Sequence, residues 1–302
     1  MIRTVIRQWP LFILLLPTFV IVLINSYLPM FGVILAFKDY NYADGMFKSP
    51  WAGFDKFTFL FTSNDAWLIT RNTIGYNIVF ILLHLVIAVF FAVLLNEIKQ
   101  RILVRTYQTL LFLPYFLSWV IVSYIGYSLL SSEHGFINAT VMNWLGLDPV
   151  DWYSEAKYWP FILPLFSVWK DIGYATVIYF AAIIGFDREY YEAAVIDGAS
   201  KWKQIRFITL PLLQPVVIML LLLQIGRIFY ADFGLFYQVT LNSGMLYDTT
   251  AVIDTYVYKA MMSVGDIGMA SAAGLYQSIV GFVLILAANF AVRKLNKDNA
   301  LF

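Results

Sequence analysis

Long apolar runs broken by short polar stretches set the pattern of this chain. A helix that crosses the hydrocarbon layer needs about 20 mostly apolar residues. Six stretches meet that length, at about 11–36, 73–95, 107–130, 160–186, 207–230 and 268–292. The pattern predicts an all-α polytopic membrane protein, a single domain over residues 1–302 with six transmembrane helices. An even number of crossings places both termini on one side. The first run follows Arg3 and Arg7 as a signal sequence would, but it extends to Phe37 with no small-residue cleavage site after it. A signal's apolar region is only about 7–15 residues long. The run is therefore expected to stay as a first span, a rim helix kinked at Pro17 and Pro29.

Three connecting segments are long. Residues 38–72 are polar and aromatic, and Lys38-Asp39 beside Phe37 and Tyr40 marks the end of a span, since charges sit where an apolar helix leaves the bilayer. Trp51, Phe54, Phe57, Phe59, Phe61 and Trp67 suit an interfacial aromatic belt. Segments 131–159 and 231–267 are acidic, and Thr249–Met262 has a helical pattern fit to lie over an outer mouth. Of 20 Lys and Arg residues, 12 fall at the termini and in the 96–106 and 187–206 loops, namely 3, 7, 99, 101, 105, 188, 201, 203, 206, 293, 294 and 297. The opposite loops carry Lys38, Lys48, Lys56, Lys157 and Lys259. Positive loops face the cytoplasm, so both termini and the 187–206 loop are expected there.

That loop opens the one polar, helix-forming stretch inside the apolar sequence, Glu189–Pro215. Glu189 and Glu192 suit a first helical turn, Asp197-Gly198 signals a turn, and Ser200 is a candidate N-cap. Two short helices with a bend between them are predicted. The second mixes Lys201, Lys203 and Arg206 with Trp202, Ile205 and Phe207, a pattern suited to lying on the membrane surface. The same pattern fits an ordinary amphipathic cytoplasmic loop. The spacing is more specific: Glu192-Ala193-Ala194, three residues, Gly198, nine residues, Ile208, one residue, Leu210-Pro211.

This spacing resembles the EAA motif of the membrane subunits of binding-protein-dependent ABC importers. Ile205 departs from the Phe usual in sugar-type members but keeps the apolar character. The segments Ala36–Asn41, Ser49–Trp51 and Arg71–Thr73 are similar to Gram-positive permeases for complex oligosaccharides. The resemblance implies a type I importer permease with cytoplasmic termini, in the plasma membrane of a Gram-positive bacterium. It further implies that Glu192, Ala193, Ala194, Asp197, Gly198, Ala199, Leu210 and Pro211 form a coupling loop that docks on a separate ATPase. The implied partners are a second homologous permease, two ATPase subunits carrying ATP and Mg, an extracellular substrate-binding protein, an oligosaccharide and membrane lipid. Nucleic acid is not among them.

Composition narrows the chemistry. The chain is 61% hydrophobic and 13% charged, against about 25% charged in globular domains. With no cysteine, disulfides, thiolate metal sites and cysteine nucleophiles are excluded. No GxxxxGK[ST] loop and no HExxH occur, so ATP hydrolysis and a zinc site of that kind are not expected. No cofactor, metal or catalytic residue is assigned to this chain. His84, among leucines, reads as a hydrogen-bonded packing residue or, as an intramembrane ionisable group, a functional candidate, and His134 as a loop residue.

Lys170 and Asp171 fall inside the fourth run, and adjacent helical residues do not face each other, so each needs a partner elsewhere. A charge at mid-bilayer costs about 2.5–3.5 kcal/mol on insertion scales. Either both face an aqueous cavity, or they form static pairs with Asp232 or Arg227. Tyr115, Trp119, Tyr124, Trp169, Tyr174 and Tyr230, with Lys170, Asp171 and Asp232, are the candidates for a substrate pathway, because an aromatic ring stacks on a sugar's C–H face while its polar handle bonds a hydroxyl. Packing is the commoner role of such rings in a chain this aromatic, and most of them are expected to fill the bundle or line the interface. Two other functions compete with oligosaccharide import: an ABC permease for another solute, such as an amino acid or glycerol phosphate, and an ion-coupled carrier using Lys170 and Asp171. A membrane enzyme lacks a recognisable acid–base or metal cluster.

Overall fold

The computed structural model describes residues 9–295. Arg3, Arg7 and Lys297 of the charge count lie outside them. Among the described residues the regular structure is helical, apart from one antiparallel bridge between Lys38 and Trp51. Five helices are long and apolar enough to cross a membrane: Leu11–Phe37, Asp65–Glu97, Ala156–Ile184, Lys201–Ile225 and Ile267–Lys294. A bent pair, Arg101–Phe116 with Trp119–Leu130, makes a sixth if it is counted as one span.

Two compact units divide the chain. The first holds the residues up to Ala66 together with Val257–Ser278. Its helix α1, Trp9–Val22, contains Pro17 and runs on through a π turn, Leu23–Tyr27, and a 3-10 segment, Leu28–Phe37. Pro29 stands at the start of the 3-10 segment, and Asn25 Nδ2 donates to the Ile21 carbonyl at 2.9 Å across the widened turn. Pro29 has no N–H to give to the turn before it, and the Asn25 side chain adds a bond to the backbone within that turn. Beyond it, Asp39 N donates to Pro50 O at 2.9 Å and Ala52 N to Phe37 O at 2.8 Å, fixing Lys38 opposite Trp51. Phe37, Phe54 and Phe57 pack as a ring cluster, with centroids 5.5–5.8 Å apart.

Lys56 joins the two sequence segments of this unit. Its Nζ lies 3.0 Å from Asp39 Oδ1 and 3.1 Å from Asp266 Oδ2. Burial pulls its pKa down, but the two carboxylates outweigh that and hold the ammonium above the usual lysine value. Asp266 Oδ1 accepts from Met269 N at 2.9 Å, capping the last helix.

The second unit holds Trp67–Tyr256 and the chain from Ile279 onward. Its helices are α2 (Asn64–Glu97, which begins in the first unit), α3 (Arg101–Phe112), α4 (Trp119–Leu130), α5 (Trp159–Ile184), α6 (Glu189–Ile196), α7 (Lys201–Gln204) and α8 (Leu210–Ile225). Two helices link the units, α9 (Ile253–Val264) and α10 (Ile267–Leu295). One buried cluster packs Tyr76 and Phe80 of α2 against Val122, Trp159, Phe166 and Phe236. A second packs Ala88 and Ala92 of α2 against Ile172, Tyr179, Ile183 and Leu213.

Three sequence expectations need correction. The predicted single span 107–130 is bent by 98° between α3 and α4. Pro114 sits in a 3-10 turn, Leu113–Phe116, Leu117 is extended, and Ser118 Oγ caps α4 by accepting from Ile121 N at 3.4 Å. Hydropathy is blind to such a break. The predicted span 207–230 starts at Lys201 and stops at Ile225. Past Gly226 the backbone is irregular, and Asn77 Nδ2 takes the carbonyls of Ile228 and Tyr230, at 2.9 and 3.2 Å. The predicted helix Thr249–Met262 is split into Tyr247–Thr250 and α9 by extended Ala251. Asn72 Nδ2 donates to Ala251 O at 3.0 Å and Thr73 Oγ1 accepts from Ile253 N at 3.0 Å, which holds the break open.

Candidate functional site

The Glu189–Pro215 stretch forms the helix and the turn read from its sequence. Glu189 and Glu192 lie in the first turn of α6, where negative charge meets the positive end of the helix dipole. The helix closes in a Schellman motif, with Ala199 N donating to Ala194 O at 2.8 Å and Gly198 N to Val195 O at 3.0 Å. Gly198 has φ +73°, a conformation that costs an L side chain. Ser200 holds the extended N-cap backbone without a side-chain capping bond. Gln204 Nε2 donates to Ala199 O at 3.1 Å from the other side of the bend.

The expected second surface helix is not separate. From Lys201 the chain runs through α7 and a π turn, Ile205–Thr209, directly into α8, so the basic residues occupy the first turns of a membrane-length rod. Pro211 falls inside this rod directly after the π turn, the kind of irregularity that accompanies a residue with no N–H to give to the turn before it. Two bonds fasten the bend to its unit. Lys201 Nζ lies 3.2 Å from Glu97 Oε2 at the end of α2, and the hydroxyls of Tyr191 and Thr209 are 3.1 Å apart. Glu192, Ala193, Asp197 and Gly198 are exposed, Ala194 and Ala199 half-buried. Tyr190, Val195, Ile196 and Trp202 expose 57–86% of their surface around them. Uncovered apolar side chains rimmed by charge mark an interaction face.

The second grouping centres on Lys170 of α5, which is 7% exposed. Its Nζ donates to the Tyr115 carbonyl at 2.9 Å and lies 5.3 and 5.1 Å from the ring centroids of Tyr115 and Trp119. The bend that splits α3 from α4 is what presents this carbonyl. Two ring faces offset part of the cost of burying the ammonium, at about 0.5–2 kcal/mol each. Tyr174, one turn on, stacks on Tyr115 at 5.0 Å, and Trp119 Nε1 donates to Asp232 Oδ2 at 3.0 Å. Tyr115, Trp119, Lys170, Tyr174 and Asp232 therefore form one connected set. The ion pairs weighed for Lys170 are absent among the described residues: the lysine takes a carbonyl and Asp232 takes an indole. Asp171, half-buried, forms no side-chain hydrogen bond with another described residue.

Tyr124 and Trp169 are placed differently. Tyr124 is 70% exposed, five residues past Trp119 and so about 140° around the helix from it. Trp169 lines a separate apolar cavity of about 570 Å³ with Phe91, Leu95, Leu110 and Ile172. Tyr230 contributes its carbonyl to Asn77. His84 Nε2 lies 3.2 Å from Ser167 Oγ and its ring stacks near Phe80, the packing role weighed for it. Two glycines that no motif singled out make the cluster fit. A Cβ on Gly173 would lie 2.0 Å from the Leu111 carbonyl oxygen, and one on Gly234 would lie 2.0 Å from Trp119 Cδ1.

Residues 84–297 match the family model described as "Binding-protein-dependent transport system inner membrane component". The chain belongs to this family. The match agrees with the resemblance carried by Glu192 through Pro211 and makes the chain a multi-pass membrane transport subunit, not itself an enzyme. This permease is 36% identical over 292 residues to protein LplB of Bacillus subtilis (strain 168), covering 96% of this chain and 90% of LplB. It is 31% identical over 293 residues to the polygalacturonan/rhamnogalacturonan transport system permease protein YteP of the same organism, covering 97% and 90%. Its fold superposes on a permease chain in the crystal structure of a bacterial alginate ABC transporter in complex with alginate pentasaccharide-bound periplasmic protein. The TM-score is 0.86 at 32% identity, covering 98% of each chain. The permease thus has the fold of a type I ABC importer subunit.

Proposed function

We propose that this permease is one half of the membrane pathway of an ATP-driven importer for oligosaccharides cut from complex polysaccharides. In this reading both termini and the α6–α7 bend face the cytoplasm of a Gram-positive bacterium. A second homologous permease completes the pathway, two ATPase subunits carrying ATP and Mg bind below, and an extracellular binding protein delivers cargo from above. The observation that carries the reading is the bend itself: an apolar, uncovered surface at Val195, Ile196 and Trp202, set rigidly by a Schellman turn and continuous with a membrane-length helix. Glu192, Ala193, Ala194, Asp197, Gly198 and Ala199 meet the ATPase, and Leu210-Pro211 begin the rod that carries its motion inward. Because α7, the π turn and α8 are one piece, displacement at Trp202 moves the far end of α8 as well. Tyr115, Trp119, Lys170 and Tyr174, with Asp171 and Asp232 beside them, offer rings, a cation and carboxylates to a passing sugar. The saccharide class is supported by what YteP and the alginate transporter are named for.

Replacing Gly198 with Pro or Glu192 with Arg tests the reading. Both variants are expected to insert normally yet lose ATPase attachment on co-purification and lose labelled-oligosaccharide uptake. Uptake at the unaltered rate by either variant would overturn the proposal and favour an ion-coupled carrier.

A further inference from the structure

Apart from the Lys170 cluster, the first unit contains a cavity of about 510 Å³ lined by Asp39, Trp51, Asp55, Lys56, Thr58 and Asp266 among others. That volume falls within the range of about 300–1,000 Å³ usual for small-molecule sites. We infer that it is a binding subsite for a neutral pyranose of the incoming saccharide, separate from the pathway between the membrane helices. The inference rests on the orientation proposed above, which places this cavity on the outer side.

The lining divides into one stacking surface and a set of fixed polar atoms. Trp51 is 68% exposed. The Lys38 ammonium lies 5.2 Å from its ring centroid and occupies one face, and Lys38 itself is only 3% exposed. An exposed indole with its back filled is a platform for the C–H face of a sugar ring. The bridge between Lys38 and Trp51 holds the platform in register with Asp39, so the site is mounted on hydrogen-bonded backbone. Lys56 gives two of its three N–H donors to Asp39 and Asp266 and keeps one. Asp266 uses one oxygen on Lys56 and the other on Met269 N. Asp39 binds Lys56 through Oδ1 alone, and the Asp55 carboxylate has no hydrogen-bond partner among the described residues. Oδ2 of Asp39 and both oxygens of Asp55 are therefore acceptors for sugar hydroxyls, with Lys56 the matching donor.

Charge decides the kind of sugar. The lining has three carboxylates against one ammonium, and including Lys38 behind the ring still leaves a net negative charge. A uronate would bring a further carboxylate into this field, whereas a neutral ring brings only hydroxyls. Gly268 lets the last helix pack closely against two of these residues: a Cβ there would sit 2.9 Å from Lys38 O and 3.1 Å from Lys56 Cε.

The full-length permease in lipid nanodiscs, without ATPase, is titrated with tetrasaccharides of glucose, galactose, mannose and xylose and with tetragalacturonate, followed by saturation-transfer NMR and calorimetry. At least one neutral tetrasaccharide is expected to bind, and tetragalacturonate at least tenfold more weakly. Trp51→Ala should weaken the neutral ligand at least tenfold, Trp51→Phe should retain most of the binding, and Asp55→Asn should weaken it several-fold. Gly198→Pro should leave these values unchanged, so a failure of the coupling reading and a failure of this one are told apart. Absence of neutral binding, tighter binding of tetragalacturonate, or unaltered binding by Trp51→Ala overturns the inference. So does a Trp51→Ala variant that keeps its sugar but no longer captures purified binding protein, which would mark a protein-docking surface instead.

Discussion

The two tight glycines give the sharpest test of single side chains. Gly234→Ala drives a methyl group into the Trp119 ring, a side chain able to shift, and overpacking of this sort costs about 1–3 kcal/mol. Gly173→Ala meets the main-chain oxygen of Leu111, which has no rotamer to escape into. Thermal melts in detergent should therefore show both variants destabilised and Gly173→Ala the more so; the reverse order would mean that α3 and α5 are not in contact at this point. Neither glycine was legible in the sequence, because a close approach between distant segments leaves no local signal. Lys170 was legible as a buried cation in need of a partner elsewhere, and it has one in the turn between α3 and α4. Its acceptor was not, since a carbonyl released by a bend carries no residue-type signature, whereas formal charge pointed to Asp232 instead.

Among the elements, the α6–α7 bend depends on one left-handed residue. Gly198→Ala should cost about 1–2 kcal/mol at that position. It should raise amide exchange at Gly198 and Ala199 with little change elsewhere; protection equal to the unmodified chain would contradict the Schellman geometry. This element was readable because caps, turns and charge placement are local. The fusion of α7 with α8 was not, since charge on the first turns of a long helix and charge on a surface helix give one pattern. The bend in the third span was hidden for a related reason: Pro114 is compatible with a membrane helix, and extended Leu117 and Ser118 are apolar or small enough to pass unnoticed. The Lys56 clasp yields a titration. Lys56 should lose its proton above the ordinary lysine value of about 10.4. The clasp is therefore whole below that value and is lost as pH rises through the raised one. A shift of the Lys56 Cε resonance with an ordinary midpoint would refute it, and Asp266→Asn should lower the midpoint.

For the molecule as a whole, the run lengths gave the class and the membrane-length helices, because hydropathy is a sum that tolerates local error; the placement of charge gives the orientation proposed above, which the next experiment tests. The division into two units was not read, since hydropathy does not say which distant segments pack together. With no native cysteine, single Cys probes are clean reporters of sidedness. Lys203→Cys is expected to react with an impermeant maleimide only in inside-out vesicles, and Lys157→Cys only in intact cells; the opposite result would invert every assignment of inner and outer faces. The bond between Lys170 and the Tyr115 carbonyl bears on how such a permease changes over generations. Since the ammonium is tethered to main chain, mutation at position 115 alters the ring beside it without removing the tether. If the pathway runs as proposed above, a lineage is free to reshape that wall for a new cargo while the positive charge stays where it was.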